Sequence, residues 1–319
     1  MNARLAVGIT YLLATAAAAQ TPPPGFVPPP LHPEGVRLRT ESMGEGVFAL
    51  LSSKPPVDNA GFVVGDRGVL VIDAHIDKTM AQQILDAVRA VTDKPILYLV
   101  NTNYLADHTF GNFVFPETTH VVGHRETEAR MRGFDQQKKG MLVTVRNDSS
   151  VFASAELRLP DIVFDDYLAL DLGGRTVELY HFGAGNTLGD TVVYVPETKV
   201  AWTGNLVFGD GSLPFLLAGQ PARYATTLAR FAEALDVETI VPGHGVPTNS
   251  TIFARYLGYL ESLVYAVRSA HRENWTLEQT LERVPLADRF AITSELSSAA
   301  FYTGLHPYNL QKSFLEAKK

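Results

Sequence analysis

At 319 residues, 46% hydrophobic and 19% charged, the chain can bury one large core or two small ones. A net charge of -7 and the lack of any long basic run exclude non-specific nucleic-acid binding and a polybasic membrane anchor. With no cysteine, thiol nucleophiles, cysteine metal sites, lipid-modified cysteine and disulfides are excluded too.

The chain opens with Arg4, the apolar run Leu5–Ala19, and the close Ala16-Ala17-Ala18-Ala19-Gln20. Residues 1–20 therefore read as a secretory signal peptide. The run is short for a membrane span. The expectation is a periplasmic or secreted protein with no stable membrane insertion once the signal is removed. Residues 21–35 (TPPPGFVPPPLHPEG) are proline-rich and read as an extended linker, with His32 a solvated loop residue.

Three short apolar runs follow, at residues 47–51, 60–64 and 68–72, with Gly or Pro between them; they predict hairpin-connected strands. Residues 77–92 carry apolar positions Met80, Ile84, Leu85, Val88 and Val91 at helical spacing. Residues 96–100 read as a buried strand, 119–123 as another, and 124–131 as a helix. Residues 133–155 are polar and irregular, an inserted helix or loop. Strands are then expected at 162–164, 168–172, 176–182, 191–195 and 200–202, a helix at 221–235 and a strand at 239–242. The remainder is helical, with breaks near Asn274 and Pro285.

Polar loops follow five of the strands: Asp73–His75, Asn103–His108, Gly183–Asp190, Gly204–Asn205 and Gly243–Gly245. A sheet with helices on one outer face, repeated twice, gives an α+β protein, a four-layer αββα sandwich over residues 36–249. Residues 250–319 form a helical extension packed on it.

Five signatures stand in order: Val71-Ile72-Asp73; Asn101-Thr102 with Asp107-His108-Thr109 and Gly111-Asn112; Phe182-Gly183 with Gly185-Asn186-Thr187 and Gly189-Asp190; Thr203-Gly204-Asn205-Leu206; and Val241-Pro242-Gly243-His244-Gly245. In these the chain resembles the metallo-β-lactamase superfamily, the αββα-sandwich metallohydrolases. The resemblance implies the four-layer fold and a site for two zinc ions. The three histidine positions of the first ion are here Asn103, Leu105 and Asn186, and the bridging carboxylate position is Asn205. The second ion's ligands are kept as Asp107, His108 and His244. Leu105 has no donor atom, and neutral amides are poor zinc ligands beside imidazole or carboxylate. One metal ion is therefore expected, zinc by family likeness; two histidines and a carboxylate also suit iron.

Two functions follow from this pattern. One is hydrolysis of an ester, amide or lactam bond in a small-molecule substrate, by water activated on a single metal ion, with Asp107 or His75 as base. The alternative is a non-catalytic protein holding a small polar ligand in a pocket lined by Asn103, Asn186, Asn205 and Tyr104. His75 also reads as an extra ligand or an exposed turn residue. Asp73 and Asp190 are expected to support the ligand loops by hydrogen bonds. Tyr104, Phe110, Phe208, Phe215 and Leu216 form a candidate apolar wall. His124 and His181 read as structural.

Overall fold

The computed structural model describes Pro23 and residues 26–209, 211–290 and 300–317; the expected signal peptide lies outside the described residues. Two sheets stack face to face. The first has seven strands in sequence order: β1 (Leu38–Gly44), β2 (Val47–Ser52), β3 (Ala60–Val64), β4 (Val69–Ile72), β5 (Ile96–Asn101), β6 (His120–His124) and β7 (Ile162–Phe164). The second runs β12-β11-β10-β9-β8, from β8 (Tyr167–Asp171), β9 (Thr176–Tyr180), β10 (Val192–Val195), β11 (Val200–Trp202) and β12 (Thr239–Val241). The helices are α1 (Lys78–Val91), α2 (Ala106–Thr109), α3 (Arg125–Met131), α4 (Phe134–Met141), α5 (Pro221–Ala234), α6 (Thr251–Arg272), α7 (Leu277–Arg283), α8 (Leu286–Phe290) and α9 (Ala300–Glu316). No helix among the described residues is long and apolar enough to cross a membrane.

The layers follow from side-chain alternation along each strand. In β4, Leu70 and Ile72 enter the core between the sheets, while Val69 and Val71 meet the stripe Ala81, Ile84 and Val88 of α1. In β10, Val193 and Val195 face the first sheet. Val192 and Tyr194 face α5 and α6 through Tyr224, Leu228, Phe231 and Tyr256. This is the expected αββα sandwich. Asp77 starts α1 by accepting the Met80 N–H at 2.8 Å. The expected breaks near Asn274 and Pro285 fall between α6, α7 and α8.

Two expectations differ. β1 (LRTESMG) carries no apolar run; it is an edge strand paired only with β2, so its residues stay largely solvated. The proline-rich segment is no free linker. Phe26 packs on Phe215, Phe301 and Tyr308, Leu31 is buried, and His32 meets Asp148 at 3.3 Å.

Strands β4 to β7 run parallel, as do β11 and β12. Their C-terminal ends therefore deliver loops to one edge. Backbone bonds tie those loops across the two sheets: Thr191 N–H to Thr102 O at 2.8 Å, and Asn59 N–H to Gly243 O at 2.7 Å. Beneath them two buried amides clasp each other. Asn101 Nδ2 donates to Asn112 Oδ1 at 3.0 Å, and Asn112 Nδ2 returns to Asn101 Oδ1 at 2.8 Å. Gly111 sits so close that a Cβ there would lie 2.0 Å from the Ala74 carbonyl oxygen. Asn112→Ala leaves the buried Asn101 carbonyl unpartnered and is expected to destabilise the fold by about 2 kcal/mol. A lowered urea midpoint checks this; an unchanged one contradicts it.

Candidate metal centre

After β4 the chain turns through left-handed backbone at Asp73 (φ 61°) and His75 (φ 63°). That turn aims the Asp73 carboxylate at the loop following β5. It accepts the Thr102 N–H at 2.8 Å, the Thr102 hydroxyl at 2.7 Å and His108 Nδ1–H at 2.8 Å. His108 is thereby fixed with Nε2 toward the interior. Asn103 Oδ1 accepts the Leu105 N–H at 2.9 Å, closing the turn that begins α2, and α2 carries Asp107 and His108.

From the other sheet, β12 ends in the Gly243-His244-Gly245 loop. His244 Nδ1–H donates to the Pro56 carbonyl at 2.6 Å, and the ring stacks on Phe208 at 4.9 Å. Its Nε2 faces Asp107 Oδ2 at 3.6 Å. Asn59 straps this loop, donating through Nδ2 to Pro242 O at 2.9 Å and Gly245 O at 2.8 Å. Its neighbour Asp58 is thereby carried into the same space. Asp58 Oδ1 lies 3.3 Å from His244 Nδ1 and 3.5 Å from His108 Nε2.

Asp58, Asp107, His108 and His244 each offer a donor atom within 4.8 Å of the others, and none is more than 2% exposed. Both Asp58 oxygens and Asp107 Oδ1 lack a hydrogen-bond partner. Buried carboxylate oxygens left unpartnered are costly. Both imidazoles have one nitrogen held by an oxygen acceptor and the other turned inward, the usual support of metal-binding histidine. The residues fit a divalent cation. The sequence signature had pointed to Asp107, His108 and His244, but not to Asp58.

Burial alone would depress His108, but the carboxylates of Asp73, Asp107 and Asp58 outweigh it and hold it at about 10. The His108 ring bridges Asp73 Oδ2 and Asn205 Oδ1, the latter 2.9 Å from Nε2. Burial, and then the Asp107 charge, push Asp58 well above the usual carboxylate range. Burial draws His244 down to about 4, against the pull of Asp107.

The remaining expected residues divide. Tyr104 and Asn205 line a cavity of about 520 Å³, with Asp107 and His244 at its polar end. Asn103 and Asn186 are not among its lining residues. Asn103 Oδ1 serves the turn, and Asn186 Nδ2 donates to Phe215 O at 2.8 Å. Of the apolar wall, Phe208 and Phe215 line the cavity; Phe110 packs instead on Phe134 and Phe152, and Leu216 is buried in the core. His75 is no exposed turn residue and does not line the cavity. It is fully buried, neither ring nitrogen has a hydrogen-bond partner, and burial with the charges of His108 and His244 lowers it to about 3. Asp190 orders the Asn186 loop by accepting Gly185 N–H at 3.0 Å and the Thr187 hydroxyl at 2.6 Å; burial raises it to about 6 against those bonds. His124 caps α3 and stacks on His181 at 3.9 Å.

The rest of the cavity is largely apolar. Leu105, Phe208, Phe215, Leu217 and Met141 form its walls, and Phe26, Pro28, Pro29 and Leu31 of the proline-rich segment cover it. Gln137, Gly140, Val143 and Thr144 bring the 133–155 insertion to its rim.

The chain is 24% identical over 226 residues to the acyl-coenzyme A thioesterase MBLAC2 of Homo sapiens, covering 64% of this chain and 80% of that protein. It is 24% identical over 226 residues to the 2,4-dinitroanisole O-demethylase subunit alpha of Nocardioides sp. (strain JS1661), covering 70% and 60%. Among solved structures, a metallo-beta-lactamase from Pontibacter korlensis superposes with a TM-score of 0.57 at 19% identity over 70% of this chain and 99% of that one. The inverting sec-alkylsulfatase Pisa1 from Pseudomonas sp. superposes with a TM-score of 0.67 at 16% identity, over 88% and 50%. These structural likenesses speak for the fold. The sequence signature of the metallo-beta-lactamase superfamily spans residues 54–244, from the turn before Asp58 to His244. On that match the chain belongs to the metallo-β-lactamase superfamily.

Proposed function

We propose that this protein hydrolyses an ester or thioester of an apolar acyl group, using one divalent metal ion, zinc by preference, held at Asp107, His108 and His244. One observation carries the reading: Asp107 and His244 of the buried carboxylate–imidazole cluster stand at the polar end of a largely apolar cavity of about 520 Å³. That volume suits a small-molecule ligand. The thioesterase relative supports an acyl substrate. A cation in this cluster would supply a Lewis acid for the carbonyl and lower the pKa of water.

The chain's own groups do the rest. The apolar walls hold the acyl arm and exclude water, and so place the scissile carbonyl over Asp107 and Asn205. Asp107 Oδ2 faces the two imidazoles, which leaves Oδ1, without a partner, to take the proton of the attacking water. Water adds to the carbonyl carbon, and the bond to sulfur or oxygen breaks. The proton passes from Asp107 to the leaving group, giving a carboxylic acid and a thiol or alcohol. Tyr104 stays a neutral phenol because burial raises it, so its hydroxyl donates to the developing oxyanion. His75, behind the loop, has no place in these steps. A ligand-holding role for three converging amides lacks support, since Asn103 and Asn186 do not line the cavity and each gives one amide atom to the backbone, leaving Asn103 Nδ2 and Asn186 Oδ1 without partners.

Acyl length is one check. Across S-acyl-N-acetylcysteamines from acetyl to octanoyl, kcat/KM is expected to rise about fourfold per methylene, from about 0.8 kcal/mol per buried CH₂, and to vanish with chelator or His244→Ala. A flat profile, or full activity in chelator, contradicts the reading. A second check is pH. A cation must displace the proton from His108 Nε2, so affinity rises with pH, about tenfold per unit for one proton, and falls as acid restores that proton. Calorimetric zinc titrations in buffers of different ionisation enthalpy then give different heats; equal heats contradict proton release.

A further inference from the structure

We infer that Asp58 is a fourth ligand to the metal, a position outside the signature by which the site is read from sequence; the inference rests on the single-ion site proposed above. Three observations converge. First, spacing: donors about 2.1 Å from a tetrahedral zinc stand about 3.4 Å apart. Asp58 Oδ1 lies 3.5 Å from His108 Nε2, beside separations of 3.6 Å for His244 Nε2 and 3.9 Å for His108 Nε2 from Asp107 Oδ2; toward His244 its nearest approach is 3.3 Å, to Nδ1, and one donor atom from each of the four residues lies within 4.8 Å of the others. Second, satisfaction: Asp58 is buried and neither side-chain oxygen has a hydrogen-bond partner, so its carboxylate is left uncompensated by hydrogen bonds. Third, charge: among the residues offering donor atoms to the ion, Asp107 alone carries one negative charge against a dication, and Asp58 supplies the second, while Asp73 acts from behind the His108 ring.

Asn59 explains how Asp58 is held. Its side chain satisfies Ser52 N–H, Pro242 O and Gly245 O, fixing the hairpin end against the His244 loop. The site thus loses donors at Asn103, Leu105 and Asn186 and gains one from the turn between β2 and β3. The result is a mononuclear set of two carboxylates and two imidazoles.

The test compares the full-length protein with Asp58→Asn, an isosteric change, and with Asp58→Ser. Zinc affinity is measured by competition with a chromophoric chelator, coordination by the visible bands of the cobalt(II) form, and melting temperature with zinc and with chelator. Asp58→Asn is expected to weaken zinc binding at least tenfold and to shift the cobalt bands. In chelator it is expected to melt no lower than the wild type, because it removes an unpartnered buried carboxyl. Unchanged affinity and cobalt bands overturn the inference alone, as does an equal fall in melting temperature with and without zinc in both variants. A wild type that binds no metal overturns both this inference and the proposed function.

Discussion

Two carboxylates, Asp58 and Asp107, lie among the imidazoles of His108 and His244 where solvent does not reach. Taking such charges out of water is among the costliest demands a fold can meet, and it is met only when opposite charge is fixed close by. Much of the local architecture serves this. Asp73 holds His108 through left-handed backbone, the Pro56 carbonyl holds His244, and Asn59 binds the hairpin to the Gly-His-Gly loop. The bond from Asp73 to His108 joins neighbouring loops of the first sheet, whereas those from His244 and Asn59 cross between the sheets and form only once the two sheets stack.

The cavity reverses the chemistry of its floor. Aromatic and aliphatic side chains from the second sheet's loops, α4 and α9 surround one polar end, and the proline-rich segment covers it. Phe26 anchors that cover by packing on Phe215, Phe301 and Tyr308. Low polarity around the cluster strengthens every electrostatic interaction within it. A substrate with an apolar arm gains by entering, whereas a purely polar one would lose its hydration without replacement.

The sandwich was legible because alternation along β4 and β10 sends neighbouring residues into different cores, and that pattern survives in a single sequence. The pairing of Asp107 and His108 with a distant His244 was legible through glycine-rich loops that follow apolar strands. Asp58 was not. An aspartate after Pro55-Pro56 and before Asn59 has the composition of an ordinary turn, and only the stacking of the sheets brings it to His244. β1 escaped because an edge strand needs no apolar face. His75 misled because a histidine after a strand end looks solvent-facing, whereas left-handed backbone turns it inward. The asparagines looked like a set because their sequence positions match lost ligands, yet each amide is committed to a different neighbour.

The central claim is that one buried cluster holds one metal ion. Anomalous diffraction at the zinc edge, from crystals grown with excess zinc, measures this most directly. The account predicts a single strong peak per chain, about 2.0–2.2 Å from oxygens of Asp58 and Asp107 and from Nε2 of His108 and His244. No peak there, or a second peak beside Asn103 and Asn186, would contradict it.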